Sequence, residues 1–205
     1  MPDFSFETEV ADQGYTAVAG VDEVGRGPLC GPVTAAAVIL DPDHIPEGLR
    51  DSKKLTDRKR RLMYTQIMET AMVGVAHASV AEIDEINILQ ASHLAMVRAI
   101  ANLPKPADFA LIDGNRAPKN LIIPSTCVVK GDDRSLSIAA ASIVAKITRD
   151  DLMLELDAQF HGYGWAKNAG YPTKEHLVAL KSLGVTPHHR RSFKPVHNIL
   201  YQKNK

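Results

Sequence analysis

Short apolar runs alternate along this chain with longer segments in which apolar residues recur at helical spacing. A glycine-rich turn at 25–31 separates the first two runs, which is typical of a β-hairpin. Thr56 is a candidate helix N-cap, and Pro104 marks the end of another helix. The pattern predicts strands at 15–22, 33–40, 73–80, 109–113 and 127–129, and helices at 56–71, 82–103, 135–160 and 173–183. We therefore expect an α/β fold with a mixed sheet flanked by helices.

The balance of charge limits how this chain could bind a polyanion. Its 205 residues contain 24 Lys and Arg against 24 Asp and Glu, so it is not globally basic and any such binding requires local clusters. No apolar run is long enough to predict a membrane span. Cys30 and Cys127 are expected to be reduced thiols of a cytoplasmic protein. Residues 1–14 are acidic and have no apolar core typical of a signal peptide.

Four acidic residues fall at predicted strand ends or in glycine turns. Asp22 and Glu23 close the first strand, Asp113 ends the run FALID, and Asp132 precedes the long helix. Carboxylates with no His or Cys nearby suit hard divalent cations such as Mg²⁺ and Mn²⁺. Each acid could instead form a turn or cap a helix. Neighbouring strand residues point to opposite faces, so Asp22 and Glu23 share a site only if the strand breaks there.

The segment after the first acids contains Gly25, Arg26 and Gly27, whose exposed backbone could approach a sugar or phosphate. A tight hairpin turn is an equally good interpretation, because the glycine spacing alone is a weak signal. Six cations between 53 and 61 could contact phosphates or form a solvated helix face. Lys53 and Lys54 have the better claim to phosphates, because they lie in a loop near a helix start.

The C-terminal third contains two further candidate binding elements. Residues 188–194 form a basic cluster with one aromatic residue, a composition that suits the rim of a nucleic-acid site. Tyr171 stands between Gly170 and Pro172, where its ring could stack on a sugar or base, or simply pack in the turn. His176 is expected at the surface.

Together these motifs resemble the ribonuclease HII family, the type 2 ribonucleases H. The resemblance spans roughly residues 15–197 and rests on several segments that follow one another in the family's order. These are 20–28 (GVDEVGRGP), 31–38 (GPVTAAAV), 51–55 (DSKKL), 111–115 (LIDGN), 130–132 (KGD), 137–150 (SIAAASIVAKITRD), 170–173 (GYPT) with His176, and 189–193 (HRRSF).

This resemblance implies a ribonuclease H-like fold, with a five-stranded mixed sheet flanked by helices and a helical C-terminal part. The implied enzyme is an endonuclease that hydrolyses the RNA strand of RNA–DNA hybrids and cuts 5′ of ribonucleotides embedded in duplex DNA. It would use two ions, Mn²⁺ or Mg²⁺, leave 3′-hydroxyl and 5′-phosphate ends, and remove misincorporated ribonucleotides and RNA primers. A monomer in the bacterial cytoplasm, without membrane contact, is the expected form.

The family's functional residues map onto this sequence position by position. Asp22, Glu23, Asp113 and Asp132 match the four metal-site acids, although Asp133 is adjacent and could replace Asp132. The remaining matches are substrate contacts: Gly25, Arg26 and Gly27 for the 2′-hydroxyl, Tyr171 for the next deoxyribose, and Ser52 and Lys53 for phosphates.

The sequence also departs from the family pattern. Val24 replaces the usual alanine, and Ala169 stands where many members carry a basic residue. Residues 1–14 form an extension that we expect to be disordered, and residues 15–205 form the catalytic domain. Two alternatives stay open: another ribonuclease H-like nuclease such as a resolvase, and a hybrid-binding module without catalysis.

Overall fold

A five-stranded mixed sheet forms the centre of the computed structural model, which describes residues 1–201. The strands are β1 (Val18–Val24), β2 (Val33–Ile39), β3 (Met72–Ala78), β4 (Phe109–Asp113) and β5 (Ser125–Val128). Their order is β3-β2-β1-β4-β5. β1 is antiparallel to β2 and parallel to β4, β2 is antiparallel to β3, and β4 is parallel to β5. The predicted α/β fold and mixed sheet are therefore confirmed.

Seven α-helices surround or extend this sheet in the described part of the chain. They are α1 (Ser5–Ala11), α2 (Asp57–Thr70), α3 (Val80–Ala101), α4 (Leu136–Gln159), α5 (Trp165–Asn168), α6 (Lys174–Leu183) and α7 (Lys194–Tyr201). Short 3-10 turns occur at Ser52–Lys54 and Gly131–Asp133. None of the helices within residues 1–201 has the length and apolar character needed to cross a membrane.

The two faces of the sheet bury different sets of small residues. Ala19, Val21 and Ala35 lie in one core cluster with the alanines of α3, whereas Ala36 and Val38 pack against α2 and α4. The alternation along β1 and β2 follows from the two-residue period of a strand. Gly20 allows α4 to approach most closely, since a Cβ there would lie 2.2 Å from the backbone carbon of Ser137.

Capping residues explain where several elements begin. Ser79 and Glu82 form a capping box at the start of α3, so β3 ends at Ala78 and not at the predicted position 80. Asn87 interrupts α3 with a φ of 68°, and its side chain accepts hydrogen bonds from the amides of Leu89 and Gln90. That break was not predicted, because the apolar periodicity of the helix continues across it.

The N-terminal segment is ordered, so the expectation of disorder for residues 1–14 is wrong. α1 buries Val10 against the sheet residue Phe109, and it places Glu7 in the interior, 3% exposed. Hydrogen bonds from Ser135 and Ser137 satisfy one oxygen of this buried carboxylate. The acidic composition of the segment gave no indication of this contact. The predicted domain 15–205 extends to positions 202–205, which lie outside the described residues.

Candidate active site

Three of the four candidate acids are carried by the two central parallel strands. Asp22 and Glu23 lie near the end of β1, and Asp113 is the last residue of β4. Because β1 and β4 are parallel, with Val21 opposite Ile112, their carboxyl ends meet at one edge of the sheet. β1 continues to Val24, so the strand does not break between Asp22 and Glu23, and the chain turns at Gly25. Glu23 nevertheless lies close enough for its charge to raise the pKa of Asp22.

The fourth acid reaches this edge through the 3-10 turn before α4. The amide of Gly131 donates a hydrogen bond of 2.7 Å to Oδ1 of Asp113, which ties the turn to the end of β4. Asp132 follows and is 9% exposed. Its neighbour Asp133 instead forms an ion pair of 2.6 Å with Nζ of Lys54. Asp132, and not Asp133, therefore faces the other acids.

Burial, and then the charges of neighbouring acids, raise the pKa of Asp22, Glu23 and Asp132. Burial raises the pKa of Asp22 well above its ordinary value, and the charges of Glu23 and Asp113 raise it further. Burial also raises the pKa of Glu23, although the guanidinium of Arg26, 3.2 Å away, opposes this shift. For Asp132, burial and the charge of Asp113 raise the pKa, against a weak contribution from Lys53 at 3.8 Å. The edge of the sheet thus carries more negative charge than its neighbouring cations compensate.

The chemistry of these donors fits a hard divalent cation, since all four are carboxylates that repel one another. In the described residues, however, no three Asp, Glu, His or Cys side chains are arranged as a ready-made metal cluster. Any ion would therefore have to draw these carboxylates together when it binds.

A glycine loop leads directly away from the acids. Gly25 has a φ of +94°, a conformation that favours glycine, and a Cβ there would collide with the side chain of Arg149. A Cβ on Gly27 would lie 3.1 Å from the ring of Tyr171. The side chain of Arg26 turns back to Glu23. The structure therefore brings the loop, the first acids and Tyr171 together.

Two buried arginines hold this loop by its carbonyl oxygens. The guanidinium of Arg190 donates to the carbonyls of Gly25, Arg26, Pro28, Gly31 and Pro32 at 2.6–3.2 Å. Arg149 donates to the carbonyls of Cys30, Pro32 and Ala169 at 3.0–3.2 Å. Both side chains are fully buried. The interpretation of 188–194 as a binding rim is therefore wrong for Arg190, which lies beneath the loop.

Tyr171 is 44% exposed, so its ring is available to a ligand. Its backbone carbonyl accepts a hydrogen bond of 2.9 Å from Nδ1 of His176. His176 is completely buried, against the expectation of a surface position, and its other ring nitrogen contacts Trp165 and His189. His189 is likewise buried and does not belong to a surface rim.

The basic segment 53–61 is mostly committed to contacts within the chain. Lys54 pairs with Asp133 and Arg61 with Asp151, while Arg60 donates to the carbonyls of Ser52 and Leu55. Ser52 is 5% exposed and its amide already bonds to Ser142. Lys53 is the well-exposed cation that reaches toward the acids.

A cavity of about 300 Å³ adjoins the acids on the side of α3. Glu23, Arg26, Asp113, His93 and Arg116 contribute to its lining. The last two were missed by the sequence analysis: His93 looks like an ordinary position in the apolar repeat of α3, and Arg116 is an isolated cation after the strand. They line the cavity together with Arg26, and burial and the charges of Arg26 and Arg116 lower the pKa of His93.

A sheet with this strand order, covered by helices on both faces and with acids where its central strands end, defines a nuclease of the ribonuclease H-like class. The family model described as "Ribonuclease HII" matches residues 19–196. The chain is 64% identical over 202 residues to the ribonuclease HII of Ruegeria sp. (strain TM1040), a match that covers 98% of this chain and 88% of that protein. The chain belongs to the ribonuclease HII family, and it is an endoribonuclease that hydrolyses RNA in RNA–DNA hybrids.

Solved structures agree with this membership. The ribonuclease H2 of Pyrococcus horikoshii OT3 superimposes with a TM-score of 0.74 at 26% identity, covering 92% of this chain and 100% of that one. A Bst ribonuclease HIII in complex with Mn²⁺ matches with a TM-score of 0.68, covering 91% of this chain and 70% of that one. At 23% identity the second match shows the shared fold alone.

Proposed function

We propose that this enzyme cuts RNA–DNA hybrids and also cleaves 5′ of single ribonucleotides embedded in duplex DNA, leaving 3′-hydroxyl and 5′-phosphate ends. The observation that carries the second activity is the closeness of the Tyr171 ring to Gly27, where a Cβ would lie 3.1 Å from it, just after the acids of β1. Gly27 could contact the ribose of the ribonucleotide while the ring of Tyr171 contacts the adjoining sugar. In the cell such cleavage would remove misincorporated ribonucleotides and RNA primers from the DNA of a bacterial cytoplasm.

Four carboxylates would hold two divalent cations, Mn²⁺ or Mg²⁺. Asp22 and Asp113 would share one ion, and Glu23 and Asp132 would lie near the second. When bound, such ions activate a water and stabilise the departing 3′ oxygen of a phosphodiester. The excess negative charge at this edge supports the assignment, because the cations would relieve it.

Residues around the acids would bind and orient the substrate. The backbone of residues 25–27 would contact the 2′-hydroxyl, the group by which a protein distinguishes RNA from DNA. Arg149 and Arg190 bond the loop's carbonyls from below, which leaves its outer side free for this contact. The ring of Tyr171 would stack on the following deoxyribose, and Lys53 and the Ser52 hydroxyl would contact phosphates. We propose that the enzyme does this as a monomer.

The test uses a labelled DNA duplex that contains one ribonucleotide, incubated with the protein in Mn²⁺, Mg²⁺ or EDTA. We expect a metal-dependent cut on the 5′ side of the ribonucleotide, and none in the same duplex without it. Cleavage of long RNA–DNA hybrids but not of this duplex would refute the roles of Gly25–Gly27 and Tyr171. Binding without cleavage of either substrate would instead support a hybrid-binding module.

A further inference from the structure

The N-terminal segment lies outside the region matched by the family model, yet it contributes one of the most deeply buried acids of the chain. Glu7, on α1, is 3% exposed. The family match begins at residue 19, so this acid is not among the residues that the resemblance assigns. Burying a carboxylate is costly unless it is well hydrogen-bonded. Its bonds therefore indicate what the segment does.

Glu7 caps the start of the long helix α4. Its Oε1 accepts hydrogen bonds from the Ser135 hydroxyl, from the Ser137 hydroxyl and, at 2.9 Å, from the Ser137 amide. The first amides of a helix have no partner within the helix, and its N-terminus favours negative charge. A residue more than 120 positions away along the chain thus completes the cap that Ser135 begins.

Asp3 adds a second attachment through the backbone. Its amide donates to the carbonyl of Arg134 at 3.2 Å, and its carbonyl accepts from the amide of Leu136 at 3.1 Å. This short β-bridge and the Glu7 cap hold residues 134–137 from both sides. The segment therefore fixes the stretch that joins the turn carrying Asp132 to α4.

That stretch connects directly to the proposed metal ligands. The amide of Ser135 donates to the carbonyl of Gly131 at 2.8 Å, and the amide of Gly131 donates to Asp113 at 2.7 Å. Ser137 packs on Gly20, two residues before Asp22 in β1. A displacement of Ser135 and Ser137 would consequently move the supports of three acids that come from three different elements.

We infer that Glu7 is a positioning residue for the metal site, holding the 131–137 stretch so that Asp132 stays beside Asp113. This inference rests on the proposed function, because it concerns the ligands assigned there. Asp132 lies near Asp113 without an ion, because the Gly131 amide bonds to Asp113 and the Ser135 amide bonds to the Gly131 carbonyl. Glu7 lowers the free-energy cost of metal binding, because it fixes the stretch that carries Asp132 before the ion binds.

The experiment compares Glu7→Ala with Glu9→Ala, a matched control on the same helix whose side chain is exposed. Two quantities are measured: amide hydrogen exchange of residues 131–138 without metal, and the Kd for Mn²⁺ alone by calorimetry. We expect Glu7→Ala to speed exchange in this stretch and to weaken Mn²⁺ binding at least fivefold, while Glu9→Ala matches the wild type. Glu7→Gln should restore both quantities, since its amide oxygen can accept the same three bonds.

A lower melting temperature for Glu7→Ala with unchanged exchange and unchanged Mn²⁺ affinity would overturn the inference, because Glu7 would then be a structural cap only. If Glu7→Ala does not fold, Ser137→Ala decides: it removes one of the three bonds and leaves only a small cavity. We expect it to shift both quantities in the same direction by a smaller amount. Wild-type values for both would also overturn the inference.

An Asp113→Asn variant separates this inference from the function on which it rests. If Asp113→Asn leaves Mn²⁺ binding intact, the proposed metal site itself is wrong. If Asp113→Asn abolishes binding while Glu7→Ala does not change it, the metal site stands and only the role of Glu7 is refuted.

Discussion

The guanidinium of Arg190 donates a hydrogen bond of 2.6 Å to the carbonyl oxygen of Gly25, the residue at which the chain leaves the acid-bearing strand. Arg190 bonds four further carbonyls of the same loop. Burial lowers the pKa of Arg190 to about 9, with a further contribution from the charge of Arg149. The protein thus keeps a costly pair of buried cations whose partners are loop carbonyls, which indicates that the loop's shape matters.

Replacing Arg190 by lysine should weaken both stability and activity. An ammonium has three donors for five carbonyl oxygens, so at least two lose their partner at a cost of about 1–3 kcal/mol each. We expect urea unfolding to show this loss, and kcat/KM on a single-ribonucleotide duplex to fall more than tenfold under conditions where the variant is folded. Arg191→Lys, at an exposed neighbour, is the control and should match the wild type. Full activity of Arg190→Lys would show that the loop does not need this support.

Replacing Asp113 by asparagine should abolish turnover while leaving substrate binding measurable. Asp113 ends β4 next to Asp22 and also anchors the turn that carries Asp132. Metal-assisted catalysis supplies several kcal/mol of transition-state stabilisation, so we expect single-turnover cleavage to slow by about 1,000-fold or more. Fluorescence anisotropy with a labelled hybrid would show retained binding. Normal turnover would contradict the assignment of Asp113.

The neighbouring acids Asp132 and Asp133 should differ in their effects. Asp132 is buried beside Asp113, whereas Asp133 is paired with Lys54 away from the other acids. We therefore expect Asp132→Asn to lower the cleavage rate at saturating substrate strongly, and Asp133→Asn to change it less than about threefold, as for an exposed ion pair. The opposite order would make Asp133 the fourth acid.

Replacing Tyr171 by alanine should reduce cleavage at a single ribonucleotide with little loss of stability. The ring is 44% exposed and lies against Gly27, so few buried contacts depend on it. Stacking on one nucleotide contributes about 1–3 kcal/mol, which corresponds to a loss of roughly 5- to 150-fold in kcat/KM. Tyr171→Phe keeps the ring and should retain most of the activity. Equal loss in both variants would assign the effect to the hydroxyl and refute stacking.

The sheet and its acids could be predicted because both leave local signals in the sequence. Strand periodicity and glycine turns locate β1, β2 and β4, and a carboxylate directly after an apolar run such as that ending at Asp113 is conspicuous. Parallel strands then bring such residues to the same edge. The family resemblance was needed to raise Tyr171 and the glycine loop above a simple turn.

Buried charged residues could not be predicted in the same way. Arg149 and Arg190 are satisfied by backbone carbonyls, and Oε1 of Glu7 by two serine hydroxyls and an amide, most of which lie far away in sequence. Such bonds need no complementary charge nearby, so an acidic segment was interpreted as disordered and a basic one as a surface. Only the folded chain shows which backbone groups these side chains reach.

The histidine pair His176 and His189 illustrates how such hidden polar groups set a pH dependence. Trp165 can only donate, so Nε2 of His176 accepts its hydrogen bond of 3.1 Å, and Nδ1 carries the proton bonded to the Tyr171 carbonyl. Nδ1 of His189 accepts from the amide of Thr186, so its Nε2 donates to His176 at 3.2 Å. Both rings are therefore neutral. A proton on Nε2 of His176 would point at two hydrogen-bond donors, Nε1 of Trp165 and Nε2 of His189, and would break both bonds.

The neutral pair predicts that stability falls as the pH drops below the ordinary histidine pKa. Burial, and then the proximity of the titratable rings of His176 and His188, lower the pKa of His189 to about 4, so the unfolded chain binds a proton that the folded chain does not. The contribution of the neutral His189 ring to the free energy of unfolding is fully present above about pH 6.5. It is lost progressively toward pH 4, by an amount on the order of 3 kcal/mol. Urea unfolding at several pH values would measure it as the stability gap between wild type and His189→Gln. We expect this gap to shrink as the pH falls. The control is His161→Gln, at an exposed position, for which the gap to the wild type should stay constant. A constant gap for His189→Gln would mean that the buried ring is not held neutral.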